Sequence, residues 1–147
     1  MKERAALPPA CFVQMGDFLR YALDEAVAQG LRQVVIGGMV GKLTKIAQGE
    51  TITHANRAEV DTQLLADLAA SLGAPPADCA AIAAAETARF AAERMEALGL
   101  SAPFHTALAR AVVRTLMAPA RYGGQFQLHV LVCDFDGRKV AEAFSHD

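Results

Sequence analysis

Apolar residues recur at helical spacing along most of the chain. In the first such segment, residues 15–29, apolar side chains fall on one side and acidic side chains on the other, which predicts an amphipathic helix. Segments with similar apolar spacing, one of them rich in alanine, follow at residues 60–72, 77–98 and 101–116. The pattern therefore predicts a protein in which helix outweighs strand.

Capping residues and helix breakers mark the ends of these segments. Thr51 or Thr53 is expected to cap the helix that reaches residue 72, and Gly73 to end it. After a pair of prolines, residues 77–98 are expected to form one alanine-rich helix without a break. Ser101 is expected to cap the last helix.

Two shorter segments have the character of strands. Residues 31–36 are rich in β-branched residues without polar alternation, which predicts a central parallel strand covered on both faces. Residues 126–132 alternate as a half-buried strand does, and Asp136 and Gly137 predict a hairpin returning through Val140. The expected fold is a helix-rich α/β domain spanning residues 1–147, with a small sheet covered by helices.

Composition narrows the class of protein. The 147 residues are 53% hydrophobic, but no run approaches the roughly 20 apolar residues that span a bilayer, so no membrane partner is expected. The N-terminus has no signal-peptide pattern, so a cytoplasmic location is expected. Fourteen basic and sixteen acidic residues give a net charge of -2, which disfavours nucleic acid as a partner. The three cysteines match no metal spacing and are expected to be reduced.

A glycine-rich segment, GGMVGK, links the first predicted strand to a short helix. The interpretation is a Rossmann-like unit of strand, glycine turn and helix, in which Gly37, Gly38 and Gly41 let a ligand approach the backbone. The alternative is that these glycines only serve a tight turn. A dinucleotide motif would need glycine in place of Ile36, and a phosphate-binding loop would also need Ser or Thr in place of Leu43.

Polar residues that could bind a ligand follow this segment. Lys42 and Lys45 lie three residues apart, so they share a helix face and could hold carboxylates, although a solvated face is the alternative. Thr53, His54 and Arg57 form a polar cluster at a predicted helix start, for which ordinary capping is the alternative.

The whole run resembles a known family. GGMVGKLTKIAQG at residues 37–49 and ETITHANRAEVD at residues 50–61 are similar in order and spacing to a segment of the cobalt-precorrin-5B C(1)-methyltransferase family. Residues 11–36 resemble the family's approach to this segment, whereas ETARFAAERMEALGL at residues 86–100 is compatible but less specific. The resemblance covers most of the chain.

The resemblance implies an enzyme of cobalamin biosynthesis that transfers a methyl group from S-adenosylmethionine to a ring carbon of cobalt-precorrin-5B, giving cobalt-precorrin-6A. The cofactor-binding residues expected are Gly37, Gly38 and Gly41. The substrate-binding residues expected are Lys42, Lys45, Thr53 and Arg57, because the corrinoid carries many carboxylates. His54 is expected to act as an acid–base or orienting group, because imidazole exchanges a proton near neutral pH.

The resemblance also implies a partner. Members of the family are usually much longer and carry an N-terminal domain with a glycine- and threonine-rich motif, so this chain corresponds to their C-terminal half. An alternative function is a non-catalytic module that binds an anionic ligand or pairs with an N-terminal domain or subunit. A nucleotide-binding enzyme is a weaker alternative, since Leu43 offers no hydroxyl for magnesium. The sequence leaves open whether the protein is a homo-oligomer.

Overall fold

A computed structural model describes residues 19–49, 60–119, 121–134 and 136–145. These residues contain six helices and three strands, which confirms the expected helix-rich α/β class with a small sheet. The elements are α1 (Leu19–Ala28), β1 (Gln33–Gly38), α2 (Val40–Ala47), α3 (Thr62–Ser71), α4 (Pro76–Ala84), α5 (Ala88–Ala97), α6 (Ser101–Leu116), β2 (Gln127–Cys133) and β3 (Lys139–Phe144).

The three strands form one sheet in the order β1-β2-β3. Strand β1 runs parallel to β2, with Ile36 opposite Val130, and the connection between them passes through the five helices α2 to α6. Strand β3 runs antiparallel to β2 as the predicted hairpin, with Gly137 in the turn at a left-handed φ of 81°. Because β1 and β2 are parallel, their carboxyl ends meet at one edge of the sheet, which we call the carboxyl edge.

The burial of the strands differs from the predicted pattern. Strand β1 was expected to be central, but within the described residues it lies at an edge of the sheet and only Ile36 in it is fully buried. Strand β2 was expected to be half-buried, yet every residue after Gln127 is buried, including His129 and Leu131. Both burial predictions were wrong for the same reason. A strand is buried in the middle of a sheet when other strands pair with both of its edges, and the residues of a single strand do not show this pairing.

Helix α6 forms the centre of the helical layer. It packs on α2, β2 and β3, and the apolar residues predicted along one face at intervals of four are all fully buried. They are Phe104, Leu108, Val112 and Leu116. Each such side chain contributes roughly 1.5–3 kcal/mol by leaving water. This packing fixes the N-terminus of α6 at the carboxyl edge, because α6 leads back into β2 and must run opposite to it.

Three helix boundaries correct the sequence analysis. Residues 77–98 form two helices, since the chain is extended at Ala85 and Thr87 caps α5 by accepting a hydrogen bond from the Phe90 N–H. Helix α3 is capped by Asp61, so neither threonine proposed from the sequence caps it. Ser101 is the first residue of α6 rather than its cap, and its hydroxyl lies 3.3 Å from His105 Nδ1.

No helix in the described ranges is long and apolar enough to cross a membrane. Among the described residues, Cys79 and Cys133 are not joined in a disulfide, and Cys11 lies outside these residues.

Candidate functional site

The connection from β1 to α2 is shorter than the sequence suggested. Gly37 and Gly38 are the last two residues of β1 rather than a turn, and Met39 alone links the strand to α2. Neither glycine is among the residues with a positive φ, and Gly41 lies in the first turn of α2. The expected glycine turn is therefore corrected: none of these glycines is required by a left-handed backbone.

Two of the glycines, Gly38 and Gly41, are not required by close packing. A Cβ added at Gly41 would meet nothing within 4 Å, and one added at Gly38 would meet Lys42 Cδ at 3.5 Å, an ordinary van der Waals distance. Alanine would therefore fit at either position, and at Gly41 it would favour the helix by roughly 0.5–1 kcal/mol. The packing of the described residues therefore does not explain why these two positions are glycine.

The two lysines lie on the outer face of α2. The buried face of this helix consists of Val40, Leu43, Thr44 and Ile46, and the helical period places Gly41, Lys42 and Lys45 opposite to it. The stem of Lys42 runs back over Gly38. Neither lysine has an ion-pair partner within the described ranges. We call Gly38, Met39, Gly41, Lys42 and Lys45 the junction surface.

Met39 adds an apolar contact to this surface that the sequence analysis missed. Its side chain is 45% exposed, and it is the only exposed large hydrophobic residue in the described part of the chain. Met39 is also the N-cap of α2, and among the described residues this helix start has no side-chain capping hydrogen bond. The junction surface thus combines free helix-start N–H groups, an exposed thioether and two cations.

The other predicted site residues cannot be placed. Thr53, His54 and Arg57 lie outside the described residues. Their roles remain predictions from the sequence.

A cavity of about 310 Å³, not anticipated from the sequence, lies at the carboxyl edge. Its polar lining comes from α5, from the start of α6 and from the end of β2, and Val40, the first residue of α2, also lines it. We call it the carboxyl-edge pocket. The lining residues include Val40, Glu93, Glu96, Ser101, His105 and Asp134. The serine and histidine four residues apart were a sequence signal, but the serine was interpreted only as a cap.

Asp134 links this pocket to the β2–β3 turn. Its Oδ1 accepts hydrogen bonds from the backbone N–H groups of Arg138 and Asp136, each at 2.9 Å. The bond from Arg138 is the main reason that the pKa of Asp134 is lowered. The turn therefore holds this carboxyl in its charged form at the rim of the pocket.

A second polar cluster lies on the sheet, away from the helical layer. His129 is buried in β2, stacks on Phe144 with ring centroids 4.0 Å apart, and donates from Nε2 to Glu142 Oε1 at 2.8 Å. This hydrogen bond, followed by one from Lys139, lowers the pKa of Glu142. His129 Nδ1 is buried and has no hydrogen-bond partner among the described residues. These residues bridge β2 and β3 and lie outside the junction surface.

Comparison with known proteins identifies the family. A family model described as CbiD, C-terminal domain, matches residues 52–144. A cobalt-precorrin-5B C(1)-methyltransferase of Paracidovorax citrulli is 81% identical over 145 residues, covering 99% of this chain and 39% of the relative. Proteins with the same name from Polaromonas sp. (70% over 143 residues, 97% and 38%) and Methylococcus capsulatus (62% over 147 residues, 100% and 38%) also match.

No solved structure matches the chain. The chain spans about 39% of the length of the Paracidovorax relative and 38% of the other two. The family model matches most of the length of this chain, and the matched residues include the helices and strands from α3 to β3. The chain therefore belongs to the CbiD family of cobalt-precorrin-5B C(1)-methyltransferases and carries the C-terminal domain of that family.

Proposed function

We propose that this chain supplies one wall of the active site of an enzyme that methylates a ring carbon of cobalt-precorrin-5B in cobalamin biosynthesis, giving cobalt-precorrin-6A. The names of the relatives support the reaction. The observation that carries the proposal is the junction surface, where glycines without a packing role adjoin two lysines without ion-pair partners in the described residues. Such a surface suits two neighbouring ligands, a cofactor with polar groups and a substrate with many carboxylates.

S-adenosylmethionine is the proposed cofactor, and the residues present fit it. Bound here, it would supply a methyl group already activated by the sulfonium. The open space over Gly41 and the uncapped start of α2 provide backbone N–H groups for its polar parts, and Met39 provides an apolar contact. Gly37, Gly38 and Gly41 are the residues we assign to it. In this respect β1 and α2 would act as a Rossmann-like unit at the carboxyl ends of parallel strands.

Lys42 and Lys45 are assigned to the corrinoid carboxylates. Both lysines are half-buried on the outer face of α2. Arg57 and Thr53 are proposed to bind further polar groups of the corrinoid. His54 is proposed to orient the corrinoid ring or to exchange a proton with it as the ring is rearranged. The protein's contribution is then alignment of the reacting carbon and methyl group and exclusion of water.

The proposed site also needs a second part. The chain spans about 39% of the Paracidovorax relative, and a junction surface on one helix cannot enclose a macrocycle. We therefore propose that the chain works with an N-terminal domain or subunit. The competing function is a non-catalytic module that only binds an anionic ligand or that partner. This module would bind the partner without contributing residues to methyl transfer.

Lys42→Ala tests the assignment of roles. The protein to use is a chimera in which this chain replaces the matching 39% of the Paracidovorax citrulli relative. We expect KM for cobalt-precorrin-5B to rise about tenfold or more, since a hydrogen bond to a charged group contributes roughly 1.5–3 kcal/mol. KM for S-adenosylmethionine should stay within about twofold, because Lys42 is not assigned to the cofactor.

Arg110→Ala is the matched control. Arg110 is exposed on α6 and, in the described part of the molecule, has no ion-pair partner, so the substitution removes one positive charge away from the junction surface. Its kinetics should equal those of the wild type. If Lys42→Ala weakens both substrates equally, or neither, the assignment is wrong; if the wild-type chimera transfers no methyl group, the proposed function itself fails.

A further inference from the structure

The carboxyl-edge pocket lies where an α/β sheet usually receives a ligand. It opens at the carboxyl ends of the parallel strands β1 and β2, outside the sheet. Two helices begin at its wall: Val40 is the first residue of α2 and Ser101 the first residue of α6. Within the residues that the structure covers, neither helix has a side-chain capping hydrogen bond at its start. Their first N–H groups are therefore available to an acceptor at the pocket.

Carboxylates line the same pocket. Glu93 and Glu96 project from α5, and Asp134 follows β2. Glu93 is ion-paired with Arg89 at 3.3 Å, whereas Glu96 has no ion-pair partner among the residues that the structure describes. A wall of carboxylates attracts a cation, and uncapped helix starts attract an anion. A ligand group with both charges, close together, satisfies the whole pocket better than a group of either sign alone.

His105 is the polar side chain that points to a ligand. It is only 8% exposed, and its Nδ1 lies 2.8 Å from the carbonyl oxygen of Ser101. Because a carbonyl oxygen can only accept, Nδ1 must carry the proton, and neutral imidazole then presents Nε2 as an acceptor. Nε2 has no hydrogen-bond partner within the described ranges, and the side chain lines the pocket. The unsatisfied acceptor is suited to an ammonium or hydroxyl hydrogen.

The size of the pocket limits how much of a ligand it takes. A volume of about 310 Å³ is at the lower end of the range for small-molecule sites, which is roughly 300–1,000 Å³. Val40 belongs to the pocket and directly follows Met39 of the junction surface. Because Val40 and Met39 are consecutive, a ligand with one end in the pocket comes close to Met39 at the start of α2.

We propose that the carboxyl-edge pocket binds the zwitterionic amino-acid end of S-adenosylmethionine, with its ammonium group at Glu96 and His105 and its carboxylate at the uncapped helix starts. This inference rests on the proposed function, because it places part of the cofactor assigned there. It adds residues from α5 and α6 to a site that the sequence analysis assigned to residues 37–57 alone.

Calorimetry with two ligands tests this placement in the same chimera. S-adenosylhomocysteine carries the amino-acid end, whereas 5′-methylthioadenosine has the same adenosine thioether without it. We expect Glu96→Gln and His105→Asn each to weaken S-adenosylhomocysteine about tenfold, as loss of one charge-assisted hydrogen bond does. Binding of 5′-methylthioadenosine should change less than about twofold.

The choice of variants separates binding from folding. Asparagine at 105 can still donate to the Ser101 carbonyl but lacks an acceptor at the Nε2 position, whereas His105→Gln restores a polar group near that position and should recover most of the affinity. Glu86→Gln is the control, since Glu86 is exposed and does not line the pocket. The melting temperature of each variant should stay within a few degrees of the wild type.

The outcomes are distinct. The placement is overturned if both pocket variants bind S-adenosylhomocysteine as tightly as the wild type, or if both ligands are weakened equally. If methyl transfer persists in that case, the proposed function stands and only the placement of the amino-acid end is wrong. Binding of L-methionine as tight as that of S-adenosylhomocysteine would assign the pocket to free amino acids and also overturn it. A chimera that binds neither nucleoside and transfers no methyl group contradicts both proposals.

Discussion

Glycine serves two different purposes in this chain. A Cβ at Gly123 would lie 2.8 Å from the carbonyl oxygen of Met117 and 3.2 Å from that of Ala118, so the fold requires glycine there. A Cβ at Gly41 would meet nothing within 4 Å. The sequence marks both residues with the same letter, and only the packing of the described residues separates the glycine that the fold requires from the one that it does not.

Alanine substitutions distinguish these purposes. Gly123→Ala should lower the free energy of unfolding by more than about 1 kcal/mol, because the clash involves backbone atoms that must shift. Gly41→Ala should leave it unchanged or raise it by up to about 1 kcal/mol, because alanine favours a helix. Urea unfolding of both variants measures the difference. A strong loss of stability in Gly41→Ala would show that the glycine has a structural role after all.

The environment of a single polar residue is harder to predict than its type. The alternating pattern of residues 126–132 predicted that His129 faces solvent, yet it is buried against Phe144 and bonded to Glu142. Both partners come from β3, and their register with β2 is set by the hairpin. The hairpin itself was predicted correctly from Asp136 and Gly137, but not the pairs it creates.

The His129–Glu142 hydrogen bond predicts a pH dependence of stability. The hydrogen bond lowers the pKa of Glu142 in the folded state below its ordinary value of 4.5. It therefore stabilises the folded state at pH values above 4.5, and this stabilisation is lost as the pH falls from 4.5 through the lowered pKa. Below pH 4.5 the free energy of unfolding should fall less steeply in Glu142→Gln than in the wild type. Urea unfolding at a series of pH values measures the slopes. Glu86→Gln should keep the wild-type slope, and equal slopes in all three proteins would refute the prediction.

At the scale of elements, apolar periodicity predicted where helices lie better than where they end. The apolar stripe of α6 was predicted correctly, and Gly73 ends α3 at a φ of 89° as expected. The break between α4 and α5 was missed, because alanine on both sides of it favours helix and the extended residue Ala85 has no local signal. Tertiary packing of two short helices prevails over propensity there.

Thr87→Ala tests this break by the sign of its effect. If Thr87 caps α5, its loss should lower the free energy of unfolding by about 1 kcal/mol. If the helix were continuous, alanine would instead stabilise it by up to about 0.7 kcal/mol. Thr106→Ala, within α6, is the control and should lower stability little or not at all. Urea unfolding distinguishes the two signs.

The carboxyl-edge pocket also belongs to the element scale. Its walls come from α2, α5, α6 and the end of β2, which are separated by long stretches of chain. The sequence could predict the parallel strand and the helix after it, and therefore Gly38, Gly41 and the lysines as neighbours. It could not predict that His105 lies at the same edge, because that depends on the crossover and on the direction of α6.

At the scale of the whole molecule, our proposal is that the chain is one wall of a larger site. Lys42, Lys45 and Gly41 occupy the outer face of α2, Val40 at the start of the same helix lines the carboxyl-edge pocket, and the chain covers about 39% of the Paracidovorax relative. We therefore expect the corrinoid to be enclosed between the junction surface and the N-terminal part. The resemblance identified the family from a few motifs, but the geometry of that enclosure depends on residues beyond those described.

Methyl transfer by the chimera tests the central claim that the junction surface serves the reaction. The measurement is the label incorporated into the corrinoid from S-adenosylmethionine labelled in its methyl group, with cobalt-precorrin-5B as acceptor. We predict incorporation by the wild-type chimera and a loss of about tenfold or more in Gly41→Ala at unchanged stability, because the added methyl group blocks approach to the backbone. Undiminished incorporation by a Gly41→Ala, Lys42→Ala double variant would contradict the account.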